Sequence, residues 1–264
     1  MPTNVLIVRK LVKVTDRVLV GTSEFCTTTT TVIIGDDGGC LVVDAAVTPA
    51  DIADLVTDLH DLELHVVAGF STHPHWDHVL WTAELGAAPR YATAANVAAI
   101  DADFERSRQL ADEFAPGHDA ALFRRLTPLP AGTTAVPWNG PEIQLIEHRA
   151  HAPGHAAVHV PSAGVLVTGD MCSDIEIPLL DTDASDPLAD YRHALDLLAA
   201  VDGVRHVIPG HGSVGDGAEL QRRITADRRY LNALESGGGA DDPRLTEDWL
   251  IEAHRAHLWR LRPE

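Results

Sequence analysis

The stretch Ser71-Thr72-His73-Pro74-His75-Trp76-Asp77-His78 limits what this chain can become more than any other. Three histidines and an aspartate fall within six residues, directly after the apolar run Val66-Val67-Ala68-Gly69-Phe70. Side chains alternate along an extended chain, so His73 and His75 point to the same side. Asp77 and His78 follow where the chain must turn, and they can face a neighbouring point from another direction. Imidazole and carboxylate are the ligands that Zn²⁺ and similar borderline metals take, and coordination offsets the cost of crowding them. Surface histidines can also cluster by chance, with Trp76 as a core residue. The position at a strand end, with partners downstream, points instead to a metal site.

Those partners occur in order. Cys40-Leu41-Val42-Val43 ends in Asp44, His151-Ala152-Pro153-Gly154 leads to His155, Val165-Leu166-Val167-Thr168-Gly169 leads to Asp170, and Val207-Ile208-Pro209-Gly210 leads to His211. Together with His-x-His-x-Asp-His, this series resembles the signature of the metallo-β-lactamase superfamily. The resemblance implies an α/β fold of two packed sheets with helices outside, a four-layer αβ/βα sandwich. It implies that His73, His75 and His155 hold one metal, that Asp77, His78 and His211 hold a second, and that Asp170 bridges them. Two Zn²⁺ are expected, with iron or manganese as alternatives. Asp77 and Asp170 are the expected catalytic carboxylates, Asp77 orienting the attacking hydroxide. Asp44 is expected to buttress a ligand from behind, and His151, by its proximity, to support the site.

Within that family the residues narrow the chemistry. Relatives that cleave β-lactams commonly carry cysteine or another ligand set where Asp170 stands, and some use a downstream lysine. Here Lys10 and Lys13 are the only lysines. The diiron oxygen reductases resemble His-x-Glu-x-Asp-His, with glutamate in place of His75. The group similar to hydroxyacylglutathione hydrolases and lactonases remains, which implies cleavage of a thioester, ester or lactone of a small molecule. The alternative from another class is a persulfide dioxygenase, with one iron on ligands like His73, His75 and His155.

The 264 residues carry 20 basic against 39 acidic side chains, a net charge of −19. Such a surface repels phosphate backbones and anionic lipid, so neither nucleic acid nor membrane is an expected partner. Cys26, Cys40 and Cys172 are odd in number and form no Cys-x-x-Cys pair. No signal peptide or apolar span is legible, and the expected location is the cytoplasm. The sequence carries no mark of a particular oligomer.

Along the chain, residues 4–43 read as strands, with a hairpin turn at Gly35-Asp36-Asp37-Gly38-Gly39 and solvated hydroxyls along Thr27–Thr31. Thr48-Pro49 opens a helix with Ile52, Leu55, Val56 and Leu59 on one face. Leu64–Phe70 delivers the histidine motif, and strand–helix–strand predicts a parallel pair. About 93–125 a helical insertion carries Phe104, Phe114 and Phe123, as pocket residues or, more simply, as core. Glu142–Glu147, a hairpin around Pro161-Ser162-Ala163-Gly164 and a last strand Arg205–Pro209 follow, with a helix from Asp186-Pro187 between them. A helical segment, 218–261, closes a single domain spanning 1–264. His60, His65, His193, His206, His254 and His257 read as surface, and His118 as a loop residue. Trp76 and Trp81 wall the pocket or fill the core, and Cys172 and Glu176 follow Asp170 where substrate could reach them.

Overall fold

The computed structural model describes residues 11–262. The expected strand over residues 4–10 lies outside that range. A seven-stranded sheet comprises β1 (Val12–Thr15), β2 (Val18–Thr22), β3 (Thr29–Ile34), β4 (Gly39–Val43), β5 (His65–Phe70), β6 (Arg90–Thr93) and β7 (Thr127–Leu129), neighbours in that order. β1 to β4 are antiparallel neighbours, whereas β4, β5, β6 and β7 run parallel. The parallel β4–β5 pair encloses helix α1 (Pro49–Asp61), as expected from the sequence. The helices α2 (Ala94–Ala102), α3 (Phe104–Phe114) and α4 (Ala120–Phe123) fill the interval between β6 and β7.

The second sheet comprises β8 (Gln144–His148), β9 (His155–Val160), β10 (Val165–Gly169), β11 (His206–Pro209) and β12 (Gly215–Asp216), also in sequential order. Helix α5 (Pro187–Ala199) links β10 to the parallel β11, and α6 (Gly217–Glu235) and α7 (Asp248–Arg260) follow.

Period-two alternation sorts the strands into layers. Val18, Val20, Leu41 and Val43 face Val158, Val160, Val165, Val167 and Ile208 between the sheets. Their sequence neighbours Leu19, Cys40 and Val42 face outward onto Ile52, Leu55 and Leu59 of α1. Ala157, Leu166 and Val207 face the other way, onto Leu195 and Leu198 of α5 and Leu220 and Leu231 of α6. This is the α/β/β/α sandwich.

Several local expectations differ from the structure. The Thr28–Thr31 side chains are buried, not solvated. Thr29 Oγ1 donates to Pro209 O at 2.5 Å, and Thr30 Oγ1 accepts from Ala46 N at 2.7 Å, so these hydroxyls stitch loops together. His254 and His257 are buried as well, gathered round the Tyr230 hydroxyl. Trp81 is core, and Phe123 and Phe104 pack inward with it. Cys172 belongs to the outer core beneath α6, and burial pushes its thiol well above the ordinary range.

Candidate metal centre

Each functional side chain leaves a strand at the same edge of the sandwich. Parallel strands end together, so the loops after β4, β5, β10 and β11 converge there. Asp44 follows β4 with a φ of 50°, a left-handed conformation disfavoured for a residue with a side chain. That bend aims its carboxylate along the loop after β5. Oδ1 accepts from Thr72 N at 2.8 Å, and Oδ2 accepts from Thr72 Oγ1 at 2.7 Å and from His78 Nδ1 at 3.0 Å.

These bonds determine which ring nitrogens remain free. His78 donates its Nδ1 proton to Asp44, leaving Nε2 facing inward. Thr72 gives its hydroxyl proton to Asp44 and so accepts from His73 Nδ1 at 2.9 Å. His73 Nε2 is thereby unprotonated, and it is buried without a hydrogen-bond partner. His211 donates from Nδ1 to Cys26 O at 3.0 Å, and His151 from Nδ1 to Leu179 O at 2.9 Å. In each ring the outward nitrogen is satisfied and Nε2 is turned inward.

The freed atoms form two groups. His73, His75, His151 and Asp170 make one, and Asp77, His78 and His211 make another. His151 Nε2 lies 2.9 Å from His75 Nδ1 and 3.4 Å from Asp170 Oδ2. In the other group, His78 Nε2 and His211 Nε2 are 3.2 Å apart, with Asp77 Oδ2 at 3.4 and 3.3 Å from them. Asp170 touches both groups: Oδ2 is 3.3 Å from His73 Nε2 and 3.3 Å from His211 Nε2, and Oδ1 is 3.2 Å from His78 Nε2. Burial works against ionised Asp77 and Asp170, yet His78 and His211 outweigh it and hold both carboxyls well below the usual range. Ring nitrogens and carboxylates at this spacing, with His73 Nε2 and Asp170 Oδ1 buried and unpartnered, fit a donor set for divalent cations.

Seven of the site residues expected from the sequence gather here, and His151, expected only in support, gathers with them. His155 does not join. It begins β9, where its backbone is paired with His148. Its Nε2 donates to Thr168 O at 3.1 Å, and its Nδ1 is buried without a partner. Gly169 makes room for this ring, since a Cβ there would overlap His155 Nε2. Gly210 does the same for Asp170 and His78. The two histidines differ in setting: His151 lies in the turn between β8 and β9, whereas His155 begins β9.

Two further residues stand beside the centre. Glu176 is buried with Oε1 3.9 Å from His211 Nδ1, and burial pushes its carboxyl up to about 7. Arg223 of α6 donates to Cys172 O at 3.3 Å and faces Asp174, which accepts from Ser213 N at 2.8 Å. Together they brace the Asp170 loop against the His211 loop, a role the sequence does not announce.

A family model described as the metallo-beta-lactamase superfamily matches residues 24–211. None of the curated proteins matches the chain. Among solved structures, the DIM-1 metallo-beta-lactamase is 19% identical with a TM-score of 0.64, covering 84% of this chain and 97% of its own. A beta-lactamase domain protein from Burkholderia ambifaria is 19% identical with a TM-score of 0.68, covering 95% and 87%. A sec-alkylsulfatase from Pseudomonas sp. is 16% identical with a TM-score of 0.67, covering 86% of this chain and 42% of the sulfatase. Such likenesses carry the fold, and one fold hosts several chemistries.

Proposed function

The chain belongs to the metallo-β-lactamase superfamily, and from that premise we propose that it is a dinuclear zinc-dependent hydrolase of a small-molecule thioester, ester or lactone. Iron or manganese are the alternative ions. His73, His75 and His151 would hold one ion and Asp77, His78 and His211 the other, with Asp170 between them. The supporting observation is that one carboxylate is shared by two groups whose ring nitrogens face inward. Bound there, two divalent ions would supply a water acidified toward neutrality and a polarised substrate carbonyl.

The remaining work falls to the chain. Asp44 and Thr72 keep His73 and His78 in the tautomer that presents Nε2. Asp77, held ionised, accepts a hydrogen bond from the attacking water and orients it. A thiolate or alkoxide departs without a proton from the protein, whereas an amine needs one. Glu176 faces the Nδ1 edge of His211, away from the converging Nε2 atoms. Thioesters and lactones are therefore expected ahead of amides and β-lactams. The net charge of −19 counts against phosphodiesters.

Residues 1–264 are read as one domain acting on a small molecule in the cytoplasm, away from nucleic acid and membrane. Three free cysteines support that location, and no described helix is long and apolar enough to cross a membrane. The test pairs elemental analysis with a matched panel of thioester, lactone, β-lactam, amide and phosphodiester compared by kcat/KM. The expected result is close to two zinc ions per chain, with thioester or lactone leading. One iron per chain with oxygen consumed on a persulfide would replace this reading with the dioxygenase. A leading β-lactam or phosphodiester would overturn the substrate class.

A further inference from the structure

We propose that Phe25, Trp76 and Phe114 form the wall that receives a hydrocarbon arm of the substrate, so that the molecule cleaved carries an alkyl or aryl group rather than a charged one. This rests on the hydrolase reading of the metal centre.

The three rings meet at one corner of the site. Phe25 and Trp76 are 5.3 Å apart edge to face, Trp76 and Phe114 stack at 6.0 Å, and Phe25 and Phe114 lie 5.9 Å apart. They come from three separate segments: the turn Phe25–Thr27, the histidine loop and the last position of α3. Trp76 lies between His75 and Asp77 in the chain, so the wall begins among the candidate ligands themselves. His75 is exposed on the same loop, which marks this side as open to solvent.

Phe114 is 47% exposed, while Phe104 and Phe123 of the same helical segment pack into the core. A single exposed phenylalanine is ordinary, but here it extends an aromatic cluster, Phe25 and Trp76, that is only partly buried against the core and continues into the candidate catalytic loop. The turn that presents Phe25 is also held in an uncommon shape. Cys26 and Thr27 have φ of 47° and 53°, left-handed for two non-glycine residues in succession. Three bonds maintain it: Thr28 Oγ1 to Phe25 O at 2.8 Å, Gly212 N to Thr27 O at 3.1 Å, and His211 Nδ1 to Cys26 O at 3.0 Å. The backbone of the turn that carries Phe25 is thereby fixed against the His211 loop.

Charge selects the occupant. The ion-pair partners of Asp44, Asp77, Asp170 and Glu176 among the described residues are all histidines. Arg108, on the same helix as Phe114, is tied to Glu105 and Asp112. A hydrocarbon arm would meet three rings at this corner.

The test uses the metal-loaded full chain in two ways. Straight-chain methyl ketones from butanone to octanone, which cannot be hydrolysed, are titrated by tryptophan emission, with Trp76→Phe identifying the reporting ring. Affinity should rise by up to about 4-fold per added methylene, and Phe114→Ala and Phe114→Ser should flatten that slope while Phe114→Leu keeps most of it. For acetyl, butanoyl and hexanoyl thioesters, the hexanoyl-to-acetyl ratio of kcat/KM should fall about ten-fold in Phe114→Ala, with metal content at the wild-type value. A wild-type slope of zero, or an unaltered slope in Phe114→Ala, would overturn the wall. Chain-length-dependent ketone binding without turnover of any carbonyl substrate would leave the wall standing and remove the hydrolase reading.

Discussion

His151 and His155 lie four residues apart, one in the turn before β9 and the other at its first position, yet their rings do different things. The family pattern of a histidine after Pro-Gly points at His155. The structure turns His151 toward His73, His75 and Asp170, while His155 stays behind them with Thr168. The reason is where each backbone sits. A residue in a ladder has its side-chain direction set by the pleat, whereas a turn residue can bring its ring to the edge. His151→Ala is accordingly expected to lower metal content by about one ion per chain, read by elemental analysis. His155→Gln, whose amide can still donate to Thr168 O, should keep both ions. Loss of an ion in His155→Gln with retention in His151→Ala would restore the pattern-based assignment.

At the scale of elements, the regular pieces were legible because short-range chemistry decides them. α1 starts at Pro49 behind Thr48, whose hydroxyl accepts from Asp51 N at 3.1 Å while Asp51 Oδ2 accepts from Thr48 N at 3.1 Å, a reciprocal cap. Thr48→Ala should cost about 1 kcal/mol in urea unfolding with an unchanged m-value. A cost below a few tenths would mean that tertiary packing alone sets this helix start. β6 and β7 escaped the sequence reading for an equally local reason. Arg90-Tyr91-Ala92-Thr93 and Thr127-Pro128-Leu129 are short, and one contains proline, so neither shows the periodicity of a buried strand. They are strands because β5 offers a free edge, Gly69 and Phe70 pairing with Arg90 and Tyr91. Arg90 then anchors the region: it is buried, donates to Val79 O and Leu122 O at 2.5 Å each, and lies over Trp81.

Across the whole molecule, four layers bury groups that a sequence profile would leave on the surface. His257 is the clearest case. Leu180 N donates to its Nε2 at 3.2 Å, so the folded state needs the neutral ring, and burial pushes its pKa down to about 4. The unfolded chain binds this proton near the ordinary value of 6.5, so its contribution is full above that pH and is lost as pH falls toward 4. The expected loss from this group is about 3 kcal/mol at most. Chemical denaturation from pH 7 to 4.5 should show a shallower decline for His257→Gln than for the wild type. Parallel declines would mean that this histidine is not neutral in the fold.

The residues alone determined the metal character of the site and the order of its loops, since ligand types, strand periodicity and helix caps are properties of neighbouring residues, and the family resemblance implied the sandwich. Six of the seven residues in the two groups can be named from the motifs as readily as Asp44 behind them: His73, His75, Asp77, His78, Asp170 and His211. Tertiary structure decided the rest. Whether His151 or His155 faces the centre, whether the Thr28–Thr31 hydroxyls meet water or backbone, and which phenylalanine stays uncovered all depend on what packs opposite. Those contacts join positions far apart in the chain, such as Thr29 with Pro209 and Cys26 with His211. No local pattern records such a pairing, because its free energy appears only once both sheets have assembled.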